Sequence, residues 1–304
     1  MSAEPGEAEV TDSWHVLVNQ AAGRRAIDPG FVAGLLHEAA IPNELLTPGS
    51  VDEMRNALAD LVRNGVRRVA VVGGDGTANL AVNVLMGSPM KERPILGVLP
   101  AGTGCDLLRT FAIPQKLENA VEHLKGDRTY RMDVARLEGA WGTRYFVNVA
   151  QAGVGAAAAQ TAQNLSRAWG KGRYPLAFLA RLPRFPAGRV VADLGDRRHE
   201  GTALAVIFAN GQFFAGGWNV APRSTVQDGR LDLQIVDAAK WEAIRLVPKI
   251  IRGLHLTDRA VRRYAVAGFS LESEHPWPVE ADGELVGNTP VTVAVEPGAL
   301  DLKI

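Results

Sequence analysis

The sequence predicts a chain in two parts: an α/β domain built on a parallel sheet, followed by a mostly antiparallel β-sandwich domain. Up to about residue 134, short apolar runs alternate with segments of helical spacing, which is typical of a parallel sheet covered by helices. Beyond that point, strand-like runs separated by Gly, Pro and Asp predominate, as in antiparallel sheets. We therefore expect the α/β domain at residues 14–134 and the sandwich at 135–304. The last strand either stays in the sandwich or returns to the first domain.

In the first part, the spacing of apolar residues predicts each element in turn. The predicted strands are 15–19, 69–72, 95–99 and 131–135, and the predicted helices are 28–40, 51–64, 77–85, 106–111 and 117–124. Thr77 is a residue type that caps helices, so we expect its hydroxyl group to cap the helix that starts there. Ligands of parallel α/β sheets bind at the carboxyl ends of the strands. The loops after residues 72 and 99 are therefore the expected site.

In the second part, short β-like runs are interrupted by two helical stretches. The predicted strands are 144–150, 189–194, 203–209, 231–236, 263–266 and 291–295, and the predicted helices are 155–169 and 241–254. The first helical stretch is rich in alanine, and the second has apolar residues at helical spacing. This order of elements indicates a sandwich with two helices packed against it.

The composition excludes several classes of protein. Lys and Arg together number 33, as do Asp and Glu, so overall charge provides no attraction for nucleic acid, and we expect no such partner. The single cysteine, Cys105, excludes an internal disulfide framework and fits a reducing cytoplasm. No uninterrupted run of about 18 apolar residues is present. Residues 1–13 lack the basic start and apolar core of a signal peptide and are expected to form a disordered lead.

Two glycine-rich loops carry most of the functional information. Gly73-Gly74-Asp75-Gly76-Thr77 follows one predicted strand, and Gly102-Thr103-Gly104-Cys105-Asp106 follows the next. A strand that ends in glycines before a helix brings bare backbone N–H groups together, and such a nest binds phosphate. Each loop also has an aspartate whose carboxylate suits magnesium. The pair of loops therefore predicts a nucleoside triphosphate site.

Several of these residues have a second interpretation. Asp75 also fits a plain Asp-Gly turn, Thr77 is either a phosphate contact or a helix cap, and Asp106 serves either a metal or the start of the next helix. On the residues alone, the segment 280–284 is a hairpin with an Asp-Gly turn. The segment 228–232 is a turn entering a strand.

Taken together and in order, the motifs resemble the diacylglycerol kinase catalytic-domain family, in its bacterial soluble lipid-kinase branch, which is related to sphingosine and ceramide kinases. A lone Gly-Gly-Asp-Gly is shared with NAD kinases and phosphofructokinases, whereas the ordered set is much more specific. The matching positions are Asn19 and Gly23, Gly73–Thr77, Gly102-Thr103-Gly104 with Asp106, Asp133, Asn210-Gly211, Gly216-Gly217, Pro222, Asp228-Gly229-Arg230-Leu231-Asp232 and Asp282-Gly283-Glu284.

The resemblance implies an NAD kinase/phosphofructokinase-like domain that binds ATP, a β-sandwich domain, and a cleft between them. It implies that Asp282 is the general base on a lipid hydroxyl group, assisted by Glu284, and that Asp228 holds a structural Mg²⁺. Asp282 and Glu284 share one strand face if Gly283 does not bulge. The implied nucleotide and magnesium network consists of Asn19, Gly23, Gly73, Gly74, Asp75, Gly76, Thr77, Gly102, Thr103, Gly104, Asp106 and Asp133.

Three positions depart from the family pattern. The first turn, 19–23, lacks the Pro and Ser of the usual Asn-Pro-x-Ser-Gly, Leu80 follows Asn79 where the family usually has Glu, and Cys105 stands where Asn is common. The missing carboxylate at position 80 keeps open a non-catalytic, nucleotide-regulated lipid-binding protein. The closest enzymatic alternative is an NAD kinase.

A lipid kinase without a membrane span must meet its substrate at the membrane surface. Residues 166–191 combine basic and aromatic side chains and contain no acidic residue. This pattern suits either peripheral contact with the inner face of the membrane or an ordinary solvated helix. We expect a cytoplasmic protein with a lipid substrate, and a homodimer formed through edge strands is a further possibility.

Overall fold

The first part of the molecule is a parallel sheet covered by helices, as the sequence predicts. The computed structural model describes residues 13–20, 26–101, 105–166, 170 and 172–304. The sheet order is β2-β1-β3-β4, with all three pairings parallel. The elements are β1 (Trp14–Val18), α1 (Pro29–Glu38), β2 (Asn43–Leu46), α2 (Val51–Arg63), β3 (Arg68–Gly73), α3 (Asp75–Met86), β4 (Ile95–Pro100), α4 (Asp106–Thr110) and α5 (Leu117–Ala120).

The second part is built from antiparallel strands. Its strands are β5 (Thr129–Gly139), β6 (Gly142–Phe146), β7 (Val149–Gly153), β8 (Gly188–Asp193), β9 (Arg198–Ala203), β10 (Ala205–Ala209), β11 (Phe213–Phe214), β12 (Trp218–Asn219), β13 (Leu231–Val236), β14 (Val261–Val266), β15 (Gly268–Ser273), β16 (Pro278–Ala281), β17 (Glu284–Asn288) and β18 (Val291–Lys303). Its helices are α6 (Val154–Gln163), α7 (Arg173–Arg181) and α8 (Lys240–Ile251). The predicted fold class is therefore confirmed.

Two sheets enclose the core of the second part. One has the order β14-β13-β10-β7-β16-β17, and the other contains β18, β15, β8 and β9 with β5 and β6 attached. Phe208 lies between them and makes edge-to-face contacts with Phe146 and Phe269. The long strand β18 pairs with β5 and, near its end, lies parallel to β4 at Leu302 and Leu96. One continuous sheet therefore runs through both parts.

The structure corrects three details of the sequence prediction. The single strand expected at 144–150 is two strands, β6 and β7, separated at Val147 and Asn148. Helix α3 begins at Asp75, with Gly74 as its N-cap and no side-chain cap, so Thr77 does not cap it. Strands β2, β9, β11, β12 and β15 were not predicted, and β16 and β17 were predicted only as the hairpin at 280–284. β9 has the sequence RHEGTA, whose polarity gives no strand signal.

The described residues contain no helix with both the length and the apolar character needed to cross a bilayer.

Gly97 tests how tightly the first part is packed. A Cβ atom at this position in β4 would lie 2.7 Å from Leu124 Cδ2 and 3.0 Å from the ring of Trp14. We expect Gly97→Ala to lower the free energy of unfolding by about 1–3 kcal/mol, because overpacking displaces neighbours. Denaturant unfolding measures the effect.

Gly34 in α1 is the matched control, because a Cβ atom there has no heavy atom within 4 Å. Gly34→Ala should raise stability by about 0.5–1 kcal/mol through helix propensity. Equal effects of the two substitutions would contradict tight packing at Gly97.

Candidate active site

The start of α3 faces a cleft between the two parts of the chain. The cleft has a volume of about 950 Å³ and is lined from the first part by residues that include Asn19, Gly74, Gly76 and Thr77. From the second part it is lined by Thr143, Arg144, Tyr145 and Glu284. Because the first N–H groups of a helix have no partners within the helix, this wall of the cleft suits an anionic ligand.

Gly73 allows the end of β3 to approach α3 closely. A Cβ atom on Gly73 would lie 2.3 Å from Thr77 Oγ1, a distance that no side chain tolerates. Asn19 Nδ2 donates to Thr77 Oγ1 at 2.8 Å, so the segment after β1 is joined to the start of α3 at this point. Leu80 lines the same cleft and gives it an apolar wall where the family usually has a carboxylate.

A second cavity, of about 290 Å³, brings three of the predicted aspartates together. Asp75, Asp106 and Asp282 line it, beside Asn148 and aromatic residues of the second part. Asp106 N donates to Asp75 Oδ1 at 2.6 Å, and Gly216 N donates to Asp106 Oδ2 at 2.8 Å. Burial, and then the negative charges of Asp106 and Asp282, raise the pKa of Asp75 to about 7.

Asp282 is the most fully hydrogen-bonded of these carboxylates. Its Oδ1 accepts from the N–H groups of Asn148 and Val149 at 3.0 and 3.1 Å, and its Oδ2 accepts from Val147 N at 2.9 Å and Asn79 Nδ2 at 3.0 Å. These donors lower the pKa of Asp282, but burial outweighs them and raises it to about 6. The three backbone donors lie at the break between β6 and β7, so this break positions the carboxylate.

Asp282 and Glu284 do not share a strand face, contrary to the alternation that the sequence suggests. β16 ends at Ala281, and Asp282 and Gly283 form the two-residue turn of the hairpin, with φ of +47° and +90°. Positive φ at both positions is the requirement of a type I′ turn, which favours Asp-Gly. Asp282 points into the smaller cavity, whereas the exposed Glu284 begins β17 and lines the larger cleft.

Two asparagines of α3 join the two parts and were missed by the sequence analysis. Asn79 Nδ2 donates to Asp282 Oδ2 and also to Tyr145 O. One turn later, Asn83 exchanges hydrogen bonds with the backbone of Tyr145. Their spacing of four residues, which places both amides on one helix face, was the available signal; the sequence analysis treated Asn79 only as the neighbour of Leu80.

Asp133 and Asp228 do not line either of these cavities. The buried carboxylate of Asp133 accepts from Gly229 N at 2.7 Å and Gly298 N at 2.8 Å. Asp228 is exposed, and its Oδ1 accepts from Arg230 N at 3.0 Å. Across the part of the chain that the structure describes, no three His, Cys, Asp or Glu residues form a group that could hold a metal.

Some predicted residues fall outside the description. Gly23, Gly102, Thr103 and Gly104 lie outside the described residues, as do residues 1–12 of the expected disordered lead. The first glycine loop is therefore described through the start of α3, whereas of the second loop only Cys105 and Asp106, at the start of α4, are described.

The fold and the site together define a class of protein. A glycine-rich helix start in a cleft, beside a second cavity lined by carboxylates, suits a phosphotransferase. The chain matches the family described as "Diacylglycerol kinase catalytic domain" over residues 13–137. It matches the "YegS C-terminal NAD kinase beta sandwich-like domain" over residues 148–304. The protein belongs to the diacylglycerol kinase family, in the branch of the YegS-like lipid kinases, and is an enzyme of that family.

Individual relatives agree with this membership. A "Probable lipid kinase YegS-like" protein of Chromohalobacter salexigens is 32% identical, covering 78% of this chain and 76% of the relative. A diacylglycerol kinase of Mycobacterium tuberculosis is 29% identical, covering 90% and 88%. The solved structure of a diacylglycerol kinase from Bacillus anthracis has the same fold, with a TM-score of 0.74 at 20% identity over 96% of each chain.

Glu280, close to the Asp282-Gly283 turn, is fully buried. Its carboxyl group accepts from Gln151 Nε2 at 2.9 Å and from Gly283 N in the turn. Burial raises its pKa from the ordinary 4.5 to about 8. The proton is therefore held more tightly in the folded protein, so this group stabilises the fold fully below about pH 4.5 and loses that effect as the pH rises through about 8.

Glu280→Gln cannot ionise, so we expect its stability relative to the wild type to rise by at least about 1 kcal/mol between pH 5 and pH 9. Urea unfolding at both pH values measures this difference. The matched control is Glu272→Gln, which replaces an exposed glutamate on β15 and should change stability equally at both pH values. If the stability of Glu280→Gln relative to the wild type does not rise with pH, Glu280 is not protonated in the folded protein.

Proposed function

We propose that the protein transfers the γ-phosphoryl group of ATP to the hydroxyl group of a lipid, with diacylglycerol as the first candidate. One observation carries the proposal: Asp75 and Asp282 line the smaller cavity, while their chain neighbours Gly74, Gly76 and Glu284 line the larger cleft. A phosphate donor in the cleft and an alcohol in the cavity would meet at these two carboxylates.

The larger cleft is the proposed ATP site. Bare N–H groups at the start of α3, with no Cβ atom on Gly74 or Gly76, favour a close approach of phosphate oxygens. Asn19, Gly73 and Thr77 shape this end of the cleft through the contacts described above. We assign the glycine loop 102–104 and Gly23 to the same site on the family resemblance.

The carboxylates near this site fit a magnesium ion that arrives with the nucleotide. Mg²⁺ in kinases usually takes one or two protein carboxylates together with phosphate and water oxygens, and Asp75 and Asp106 supply two carboxylates that repel each other. When bound, the ion would neutralise charge on the phosphates. The family resemblance gives Asp133 a supporting part in this network and Asp228 a separate structural Mg²⁺, in the loop that Asp133 holds through Gly229.

The surroundings of the smaller cavity favour a lipid acceptor over NAD. Tyr174 and Phe214 line this cavity and also a third, apolar cavity of about 60 Å³, whose walls include Phe178, Leu246 and Ile250. A hydroxyl group beside Asp282 would therefore have hydrocarbon next to it. An acyl chain suits such walls, whereas the charged pyrophosphate of NAD does not.

In the proposed reaction, the lipid oxygen attacks the γ-phosphorus, and the bond from that phosphorus to the departing ADP oxygen breaks. The hydroxyl proton passes to Asp282, whose pKa of about 6 suits a general base near neutral pH. All four acceptor positions of Asp282 are occupied, and three of the donors are backbone groups. The side-chain amide of Asn79 is therefore the donor that the lipid hydroxyl replaces. Glu284, which lines the adjoining cleft, assists Asp282.

Asp75→Asn and Asp282→Asn should each lower kcat by about 10²–10⁴-fold, since each removes charge or a base from the reacting centre. The measurement is transfer of label from γ-³²P-ATP, with magnesium, to diacylglycerol, a sphingoid base and NAD as separate acceptors. Asp196→Asn, an exposed aspartate beside Arg197, is the control and should keep full activity. Circular dichroism and binding of ATP establish that each variant is folded.

Label on NAD alone would replace this proposal with an NAD kinase. ATP binding without label on any acceptor would favour the non-catalytic lipid-binding protein. Wild-type rates in either variant would remove that aspartate from the mechanism.

The pH dependence follows from the same two groups. Asp282 and Asp75 must be ionised, and their pKa values of about 6 and about 7 predict that kcat/KM rises from pH 5 to about pH 7.5 and then levels. Initial rates between pH 5 and pH 9 measure this profile. Rates that stay constant or fall between pH 5 and pH 7 would contradict it.

A further inference from the structure

We infer that the outward faces of α7 and α8 form a surface that docks the protein on an anionic phospholipid bilayer. This inference rests on the proposed lipid kinase function and identifies the surface through which the enzyme would reach its substrate. We call the surface the α7–α8 face; it is defined by Leu176, Leu179, Trp241, Ile244 and Leu254.

Large apolar side chains are concentrated on this face. Leu176 and Leu179 of α7 are 40% and 49% exposed. Trp241 and Ile244 of α8 are 57% and 48% exposed, and Leu254, just beyond the helix, is 63% exposed. Among the described residues, most of the exposed large apolar side chains belong to α7, to α8 or to the segment after α8, and such a concentration marks an interaction site rather than ordinary surface.

The spacing within α8 places its exposed apolar side chains on the outer side of the helix. Ala243 and Leu246 are buried on the inner side, toward the sheet. Trp241, Ile244 and Ile251 recur at intervals of three or seven residues on the outer side, where each is exposed. The helix is thus apolar on both sides, and in the described part of the molecule only the inner side is covered.

The charges around the face select an anionic partner. Lys240, Arg245, Lys249 and Arg252 belong to α8 or follow it directly, and Arg181 and Arg184 lie at the end of α7 and just after it. Two acids lie beside them: Glu242 accepts from Ala239 N and pairs with Arg259, and Asp258 pairs with Lys249. A chain of zero net charge therefore carries a local positive excess here, which attracts anionic lipid headgroups.

Trp241 adds a side chain suited to the bilayer surface. The guanidinium group of Arg245 lies 5.2 Å from the centre of the Trp241 ring. Tryptophan concentrates at the headgroup level of membranes, and basic residues beside it reach the phosphates. A soluble protein partner would be expected to require acidic side chains opposite the same arginines, so the apolar and basic mixture favours the bilayer.

The position of the face connects it to the active site. Residues of α7 and α8, among them Phe178, Leu246 and Val247, form walls of the apolar cavity. Lys240 Nζ donates to Pro183 O at 2.6 Å, which fixes the start of α8 against the segment after α7. A bilayer on this face would lie one layer of side chains from the cavity that we assign to the acyl chain.

The test is co-sedimentation of the full chain with vesicles. Wild type should bind vesicles of equimolar phosphatidylglycerol and phosphatidylcholine. Binding should fall at least tenfold on vesicles of pure phosphatidylcholine, and also in 0.5 M salt, where the screening length for charges is about 4–5 Å. The double variant Trp241→Ser with Ile244→Ser should bind about tenfold less tightly, as should Arg245→Gln with Arg252→Gln.

The matched control replaces two exposed apolar residues of the first part, Phe31→Ser with Met90→Ser, which are exposed to a similar degree. It should bind vesicles as the wild type does. Unchanged binding in the Trp241 and Ile244 variant, or an equal loss in the control, would overturn the inference.

Sedimentation needs no turnover, so the two proposals fail separately. Binding through the α7–α8 face with no label on any lipid would leave docking intact and refute the kinase proposal. If a monomeric short-chain diacylglycerol is phosphorylated but vesicle binding does not depend on Trp241 and Ile244, the kinase proposal holds and the docking inference is refuted. If both proposals hold, the Trp241 and Ile244 variant keeps its rate on the short-chain substrate and loses it on vesicles.

Discussion

The carboxylate of Asp282 holds together three segments that are distant in the chain. It accepts hydrogen bonds from α3 and from the break between β6 and β7, while the residue itself belongs to the turn between β16 and β17. Removing a carboxylate from water costs several kcal/mol, and hydrogen bonds from four donors offset much of that cost because each bond to a charged group contributes about 1.5–3 kcal/mol. The site therefore depends on one carboxylate that is part of the framework and that is also the general base in the proposed reaction.

Other aspartates repeat this arrangement at neighbouring points. Asp75 accepts from the start of α4, Asp106 accepts from Gly216, and Asp133 accepts from Gly229 and Gly298. In each case a backbone N–H group from another loop satisfies the acid. Carboxylates thus fix several loops to one another in addition to the hydrophobic core, and two of these carboxylates, Asp75 and Asp106, lie at the proposed reaction site.

The sequence predicted the parallel sheet and the antiparallel sandwich from local pattern, and it predicted the two glycine loops with Asp75 and Asp106 at the ends of neighbouring strands. The place of Asp282 beside them was implied only by the family resemblance. The sequence did not predict the contact between Asn79 and Asp282, which are 203 positions apart; no local signal exists for such a pair. The break at Val147 and Asn148 was also missed, because residues 144–150 contain no Gly or Pro to mark an interruption and were interpreted as one strand. Asp133 matched its motif, yet its two backbone donors lie in loops whose approach depends on tertiary packing.

Strand β18 lies beside β4 at Leu302, so residues near the end of the described chain belong to a sheet that begins with β1. Contacts between residues so far apart in sequence slow folding, because a long loop must close before they form. During synthesis, the edge of β4 stays unpaired until Leu302, about 200 residues later, has been made. The sheet that contains β1–β4 is therefore completed late, and a chain interrupted before residue 300 would expose an open strand edge on β4.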